Sequence, residues 1–148
     1  MPPRTRTDDW PCPIARAADL VGDSWTVLIL RDAFGGIRRF EDFQRNLDAP
    51  RSVLTRRLRQ LVDDGLLVRV PYQDRPPRDE YRLTEKGRAF WDVLAAMWRW
   101  GDTWAFEDRA PIVLTDAETG AEIEPMVVDA NTGRPLEVRA TRIRSRRD

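Results

Sequence analysis

The stretch from Arg51 to Leu83 constrains this chain more than any other. Over Val53–Asp64, Leu54, Leu58, Leu61 and Val62 fall within about 100° of one another at helical pitch, and arginines take the other side. Gly65 stops that helix. Leu66, Val68 and Val70 then alternate at once with Leu67, Arg69 and Pro71, which predicts a strand over Leu66–Tyr72. Pro50 sits where a helix begins, and Ser52 is its expected cap. Gln73–Arg78 contains Pro76-Pro77 and is expected to be a long irregular tip, with Asp79–Leu83 as the returning strand. An arginine helix that runs directly into a hairpin must turn its leucines onto elements that precede it.

Those elements are legible. Ile14, Ala17, Ala18 and Val21 are spaced as one helix face, and Gly22 ends it. Asp23 or Ser24 caps a second helix, Trp25–Phe34, with Trp25, Leu28 and Ile29 as its core face and Asp32 and Ala33 at the edge. Gly35-Gly36 breaks it. Phe40, Phe43 and Leu47 give a short third helix over Glu41–Leu47, and Asp48-Ala49-Pro50 is a turn. After the hairpin, Thr84 caps a long helix, 84–106, with Phe90, Leu94, Met97, Trp98, Gly101 and Trp104 along one side. The expected fold class is α+β, mainly helical. A winged helix-turn-helix with flanking dimerisation helices spans 12–106, preceded by a flexible arm, 1–11.

Past Phe106 two similar segments recur at an interval of 13 residues, Asp116-Ala-Glu-Thr119-Gly120 and Asp129-Ala-Asn-Thr132-Gly133, each after an apolar run. They predict a small β-hairpin appendage over 107–138, followed by a basic tail, 139–148. The Asp-x-x-Thr-Gly turns stand where a zinc ribbon carries Cys-x-x-Cys-Gly knuckles. Threonine is a poor zinc ligand, so a ribbon-like unit without metal is expected. Two unrelated Thr-Gly turns would read the same way.

Composition narrows the chemistry. The chain has no histidine and one cysteine, Cys12. That removes the common general base, the Ser-His and Cys-His pairs, an internal disulfide and a Cys-rich zinc site. No metal, no cofactor and no catalysis are expected; the Asp63-Asp64 pair reads as a helix end. No apolar run approaches the roughly 20 residues of a membrane helix. The N-terminus lacks the apolar core of a signal peptide, so a cytoplasmic protein with no membrane partner is expected.

Net charge is zero, with 25 basic and 25 acidic residues. Its distribution is uneven: Arg51–Val62 holds four arginines and no acid. A local basic helix steers towards phosphate even on a neutral protein. With the leucines turned inward, Ser52, Arg56, Arg59 and Gln60 face out, flanked by Thr55, and Arg51 lies at the helix start. Arg75 and Arg78 sit at the hairpin tip, and Arg38 and Arg39 precede the third helix. Standing alone, such a helix is a solvated surface. Followed by an arginine-tipped wing, it reads as a double-stranded DNA interface, with the helix in a major groove about 12 Å wide.

The helix over 84–106 carries four tryptophans, more than so small a domain covers. An apolar face of that size marks a protein interface, and a homodimer places two arginine helices in successive major grooves. Ile14 of the first helix joins this expected interface. Trp25, Trp98 and Trp100 are candidates for an effector pocket that takes a small molecule, although core packing is the plainer role. A protein-protein adaptor using the aromatic helix is the rival reading.

The sequence resembles the HxlR-type family of winged-helix transcriptional regulators. The resemblance rests on Cys12-Pro13, Gly22-Asp-Ser-Trp25-Thr-Val-Leu-Ile-Leu-Arg31, Arg39-Phe40-Glu-Asp-Phe43, Val53–Leu67 and Pro77–Gly87, about two thirds of the chain. It implies a homodimer held by its N- and C-terminal helices and bound to an operator. Ser52, Thr55, Arg56 and Arg59 then read the groove, while Arg39, Arg75 and Arg78 hold the backbone. It also implies a candidate redox sensor at Cys12; a small thiol at a helix start is the plainer role.

Overall fold

A computed structural model describes residues 7–146. In chain order it contains α1 (Pro13–Val21), α2 (Ser24–Phe34), α3 (Phe40–Leu47), α4 (Arg51–Asp63), β1 (Leu67–Asp74), β2 (Pro77–Leu83), α5 (Glu85–Ala89) and α6 (Trp91–Trp104). A single 3-10 turn follows at Val138–Ala140. The chain divides into two compact units, Met1–Trp91 and Asp92–Asp148. The class is α+β and mainly helical, a winged helix-turn-helix. No helix among the described residues is long and apolar enough to cross a membrane.

The first unit is built around the leucines of α4. Leu54, Leu58 and Leu61 are buried with Ile29 and Leu30 of α2, Phe43 of α3, and Ala49, Leu66 and Leu67. Asp23, rather than Ser24, caps α2: its carboxylate accepts from Thr26 N at 3.0 Å and from the Thr26 hydroxyl. The buried side of α2 is Thr26, Ile29, Leu30 and Asp32, a rotation from the expected Trp25, Leu28 and Ile29. The rotation is stable because both polar members are satisfied. Asp32 accepts from Arg31 at 2.7 and 2.9 Å and from Asn46 Nδ2 at 2.7 Å, which ties α3 to α2.

α4 starts at Arg51, with Pro50 as N-cap and no side-chain cap. Ser52 therefore lies within the first turn and does not cap it, contrary to expectation. The proline φ of −55° already suits a helix start. Asp48, at φ 48°, closes α3 in the left-handed region and sets up the turn.

The hairpin also differs from its expected form. β1 and β2 pair antiparallel from Leu67↔Leu83 to Asp74↔Pro77, with one irregularity at Tyr72, so only Arg75 and Pro76 connect the strands. Their peptide bond is cis. The prolines do not break the ladder because the sheet has only two strands and both are edges. The wing is thus a tight, regular ribbon. Gln73 Nε2 donates to the Pro76 carbonyl at 3.1 Å and to that of Arg75 at 3.3 Å. At the other end, Tyr81 N donates to Arg38 O at 2.7 Å, which brings the segment before α3 alongside β2.

Thr84 is a cap, as its position predicts, accepting from Gly87 N at 3.1 Å and donating to Gly65 O at 2.6 Å. The long helix it was expected to open is in fact two. α5 ends at Ala89, and Phe90 turns against the core while Trp91 packs on Phe34, ring centroids 5.2 Å apart. Gly87 lies so close to the hairpin base that an added Cβ would stand 2.1 Å from Leu66 O.

The second unit joins α6, from Asp92 onward, to two matching turns. Thr115 bridges Glu122, and Val128 bridges Pro135. Asp116 Oδ1 accepts from the amides of Glu118 (3.0 Å) and Thr119 (2.8 Å) and from the Thr119 hydroxyl (2.9 Å). Asp129 accepts from Asn131 N and the Thr132 hydroxyl, both at 3.0 Å. Gly120 and Gly133 each take φ 70°, which a side chain resists. These donors, backbone N–H first, hold both carboxyl groups below the usual carboxylate range. Asp102 of α6 is lowered too, chiefly by Ala110 N at 2.9 Å, with Arg109 at 3.3 Å adding to it. The expected arm falls partly on residues 1–6, which lie outside the described residues. Its remainder is tied to α1: Thr7 Oγ1 donates to Ala15 O at 2.7 Å, and Arg16 Nε to Trp10 O at 2.6 Å. Of the expected tail, residues 147–148 also lie outside.

Candidate nucleic-acid interface

α4 separates two chemistries. Leu54 and Leu58 are fully buried and Leu61 is 1% exposed, whereas Arg51, Ser52, Thr55, Arg56, Arg59 and Gln60 are all exposed. The outward face is therefore hydroxyl and guanidinium, the groups that read base edges and phosphates. Arg56 and Arg59 have no ion pair among the described residues. Two other groups are partly engaged. Thr55 Oγ1 donates to Arg51 O at 2.8 Å, and Gln60 Nε2 donates to Asp64 Oδ2 at 3.0 Å. Arg57 does not belong to this face: its side chain packs back towards α2, with Nε 3.3 Å from Asp23 Oδ1.

Aromatic rings hold the flanking arginines. The Arg51 guanidinium lies 4.7 Å from the centroid of Phe40, and that of Arg39 lies 4.5 Å from the centroid of Tyr72. Tyr72 is the residue at the irregularity of β1, so the Arg39 contact links the start of α3 to the wing. Arg38 is exposed beside it, and Arg75 and Arg78 are exposed at the wing's end. Phe40, Tyr72 and Arg69 were missed as part of this surface. The strand alternation around Arg69 was the available signal, because it puts that residue on the face it shares with Tyr81.

The remaining candidates fall in both units. Cys12 is exposed and precedes α1 as its N-cap without a side-chain bond. Trp25 packs against the core of the first unit. In the second unit, Trp98 lines a cleft of about 140 Å³ together with Asp102, Arg109, Leu114 and Ile123, while Trp100 is 66% exposed. Ile14, Met97 and Trp104 are exposed, Leu94, Trp98 and Gly101 are half-buried, and Phe90 packs against the core of the first unit. No group of three or more metal-binding side chains occurs among the described residues.

Comparison with known proteins places this surface in context. The family model described as HxlR-like helix-turn-helix matches residues 20–109. The chain belongs to the HxlR-like helix-turn-helix family. Rv3095 of Mycobacterium tuberculosis, an HTH-type transcriptional regulator, is 42% identical over 127 residues, covering 85% of this chain and 80% of its own length. The crystal structure of PA1607, a putative transcription factor, superposes with TM-score 0.86 at 39% identity, covering 96% of this chain and 99% of that one. The redox regulator HypR in its reduced form aligns with TM-score 0.58 at 32% identity, over 62% of this chain and 92% of that one. The HxlR-like match takes in α2 to α6 and so every arginine of the surface above. HypR is nearly all accounted for by 62% of this chain, whereas PA1607 matches almost throughout. This HxlR-like chain is a transcriptional regulator of the helix-turn-helix type.

Proposed function

We propose that this HxlR-like protein is a cytoplasmic, sequence-specific DNA-binding regulator that works as a homodimer on an operator. The observation that carries the reading is the division of α4: leucines wholly buried on one side, and Ser52, Thr55, Arg56 and Arg59 exposed on the other. Base edges are read from that face, and Arg38, Arg39, Arg51, Arg75 and Arg78 hold the phosphates on either side. The second copy covers the exposed apolar face of α6, where Met97 is 49% and Trp104 72% exposed. Paired copies then present two α4 helices about 34 Å apart, one turn of B-DNA.

Control enters through Cys12 or a small molecule. The thiol is exposed, so an oxidant or electrophile reaches it. HypR is described as a redox regulator in reduced and oxidised forms, which supports the same logic here. The tryptophans offer apolar surface to a small effector, with Trp98 already lining a cleft.

The test is selection of genomic fragments on the purified protein, followed by titration of a selected duplex over a range of salt. Affinity should fall steeply with salt, because arginine–phosphate contacts release counterions. Salt-insensitive binding to a protein partner through α6, with no duplex retained, would favour the adaptor reading instead.

A further inference from the structure

A cleft of about 310 Å³ lies between α4 and the base of the wing. Arg51 and Arg59 of α4 line it together with Arg69 of β1, and the walls are Phe40 and Tyr81. Asp63 is the one carboxylate among the described lining residues, and Asp79 pairs with Arg69 from outside the lining, so three guanidiniums face two carboxylates and the cleft keeps a positive charge. Arg69 is held from two directions. Its guanidinium is 3.1 Å from Asp79 Oδ2 and 5.9 Å from the Tyr81 ring centroid. Both partners follow from the register: Tyr81 is directly opposite on β2, and Asp79 is the diagonal neighbour on the same face. Arg51 is held in turn by the Phe40 ring. Two of the three guanidiniums are therefore oriented before anything binds, which lowers the rotamer entropy lost on binding.

We infer that this cleft seats a phosphodiester of the bound duplex and that Arg69 is a further backbone-contacting residue. The inference rests on the DNA-binding reading above. Three guanidiniums around one cleft suit a group with two free oxygens, since each guanidinium donates in a planar fork. Thr55 and Arg59, which line the cleft, also lie on the exposed face of α4, so a duplex set on that face covers the cleft.

The test compares wild type, Arg69→Gln and Arg69→Lys on one selected duplex between 50 and 300 mM salt. Arg69→Gln should make the slope of log affinity against log salt shallower by about 0.9 per cleft. The loss should be the same on matched and mismatched sequences, and Arg69→Lys should restore most of the slope. Thermal unfolding in parallel shows whether the hairpin survives. If it does not, Asp63→Asn, which removes the lining carboxylate and leaves the hairpin untouched, should tighten binding on matched and mismatched sequences alike, and unchanged affinity overturns the cleft assignment. An unchanged slope in a folded Arg69→Gln protein, with wild type binding normally, overturns the cleft assignment alone. Wild type that binds no duplex overturns the reading beneath it.

Discussion

Asp23 does two things at once, and replacing it separates them. Its carboxylate caps α2 through Thr26 N at 3.0 Å, and it lies 3.3 Å from Arg57 Nε on the back of α4. The Arg57 side chain is only 24% exposed, and among the described residues its buried Nε has no hydrogen-bond partner beyond this ion pair. Asp23→Ala removes the cap, at about 1 kcal/mol. It also leaves a largely buried cation without its partner, at about 1–3 kcal/mol. The sum, about 2–4 kcal/mol, should lower Tm by on the order of 10–20 °C for a unit of this size. Asp23→Asn keeps a good cap and loses the charge, so it should show only the second part. Arg57→Met should cost less than Asp23→Ala, and the double variant should cost less than the two single changes added together. Urea unfolding of the four proteins gives the coupling, expected at about 1 kcal/mol. Additive single effects, or an Asp23→Ala protein within about 0.5 kcal/mol of wild type, would refute this reading of Asp23.

Further outcomes follow from the same geometry. Gly87→Ala should destabilise the first unit by about 1–3 kcal/mol, because its methyl would stand 2.1 Å from Leu66 O; urea unfolding measures it, and a neutral effect would mean that the α5–hairpin contact relaxes freely. In the second unit, the Asp116 and Asp129 carboxyl groups are held below the usual carboxylate range, first by the Thr119 and Asn131 amides. A depressed carboxylate contributes stability that is present above the unfolded value and lost as pH falls through the folded one. The two turns should therefore hold above the usual carboxylate range and loosen progressively as pH falls through it, as read by carboxyl chemical shifts; midpoints above those of ordinary aspartates would contradict the turn hydrogen bonds. Trp104→Arg, on the exposed face of α6, should shift sedimentation from dimer towards monomer while leaving the circular dichroism of the fold unchanged.

The parts of the fold that were readable in sequence are those set by local periodicity. The leucines at 54, 58 and 61 fix both the existence of α4 and its buried side, and the same holds for Phe43 in α3. Where tertiary contact decides, the sequence misleads. Residues 84–104 keep helical spacing throughout, yet Phe90 turns into the core and Gly87 locks against Leu66 O, so one helix becomes two. Pro76 and Pro77 signal irregular chain, but at the end of a two-stranded ribbon they fit a tight connection. The core side of α2 was misjudged because Thr26 and Asp32 are polar, and only their partners, Asp23 and Asn46, show why they can be buried. At the candidate site the outward residues of α4 followed from helix geometry. The rings that hold Arg39 and Arg51 did not, since those pairings depend on how the wing lies against α3.

The central claim is that the open side of α4 reads base edges, and affinity of the Arg56→Ala protein across a set of single-base variants of a selected operator tests it most directly. The expected result is a loss of about 1–3 kcal/mol on the best site, with discrimination flattened at one position of each half-site and retained elsewhere. An Arg56→Ala protein that keeps wild-type affinity and the full wild-type preference at every position would contradict the assignment.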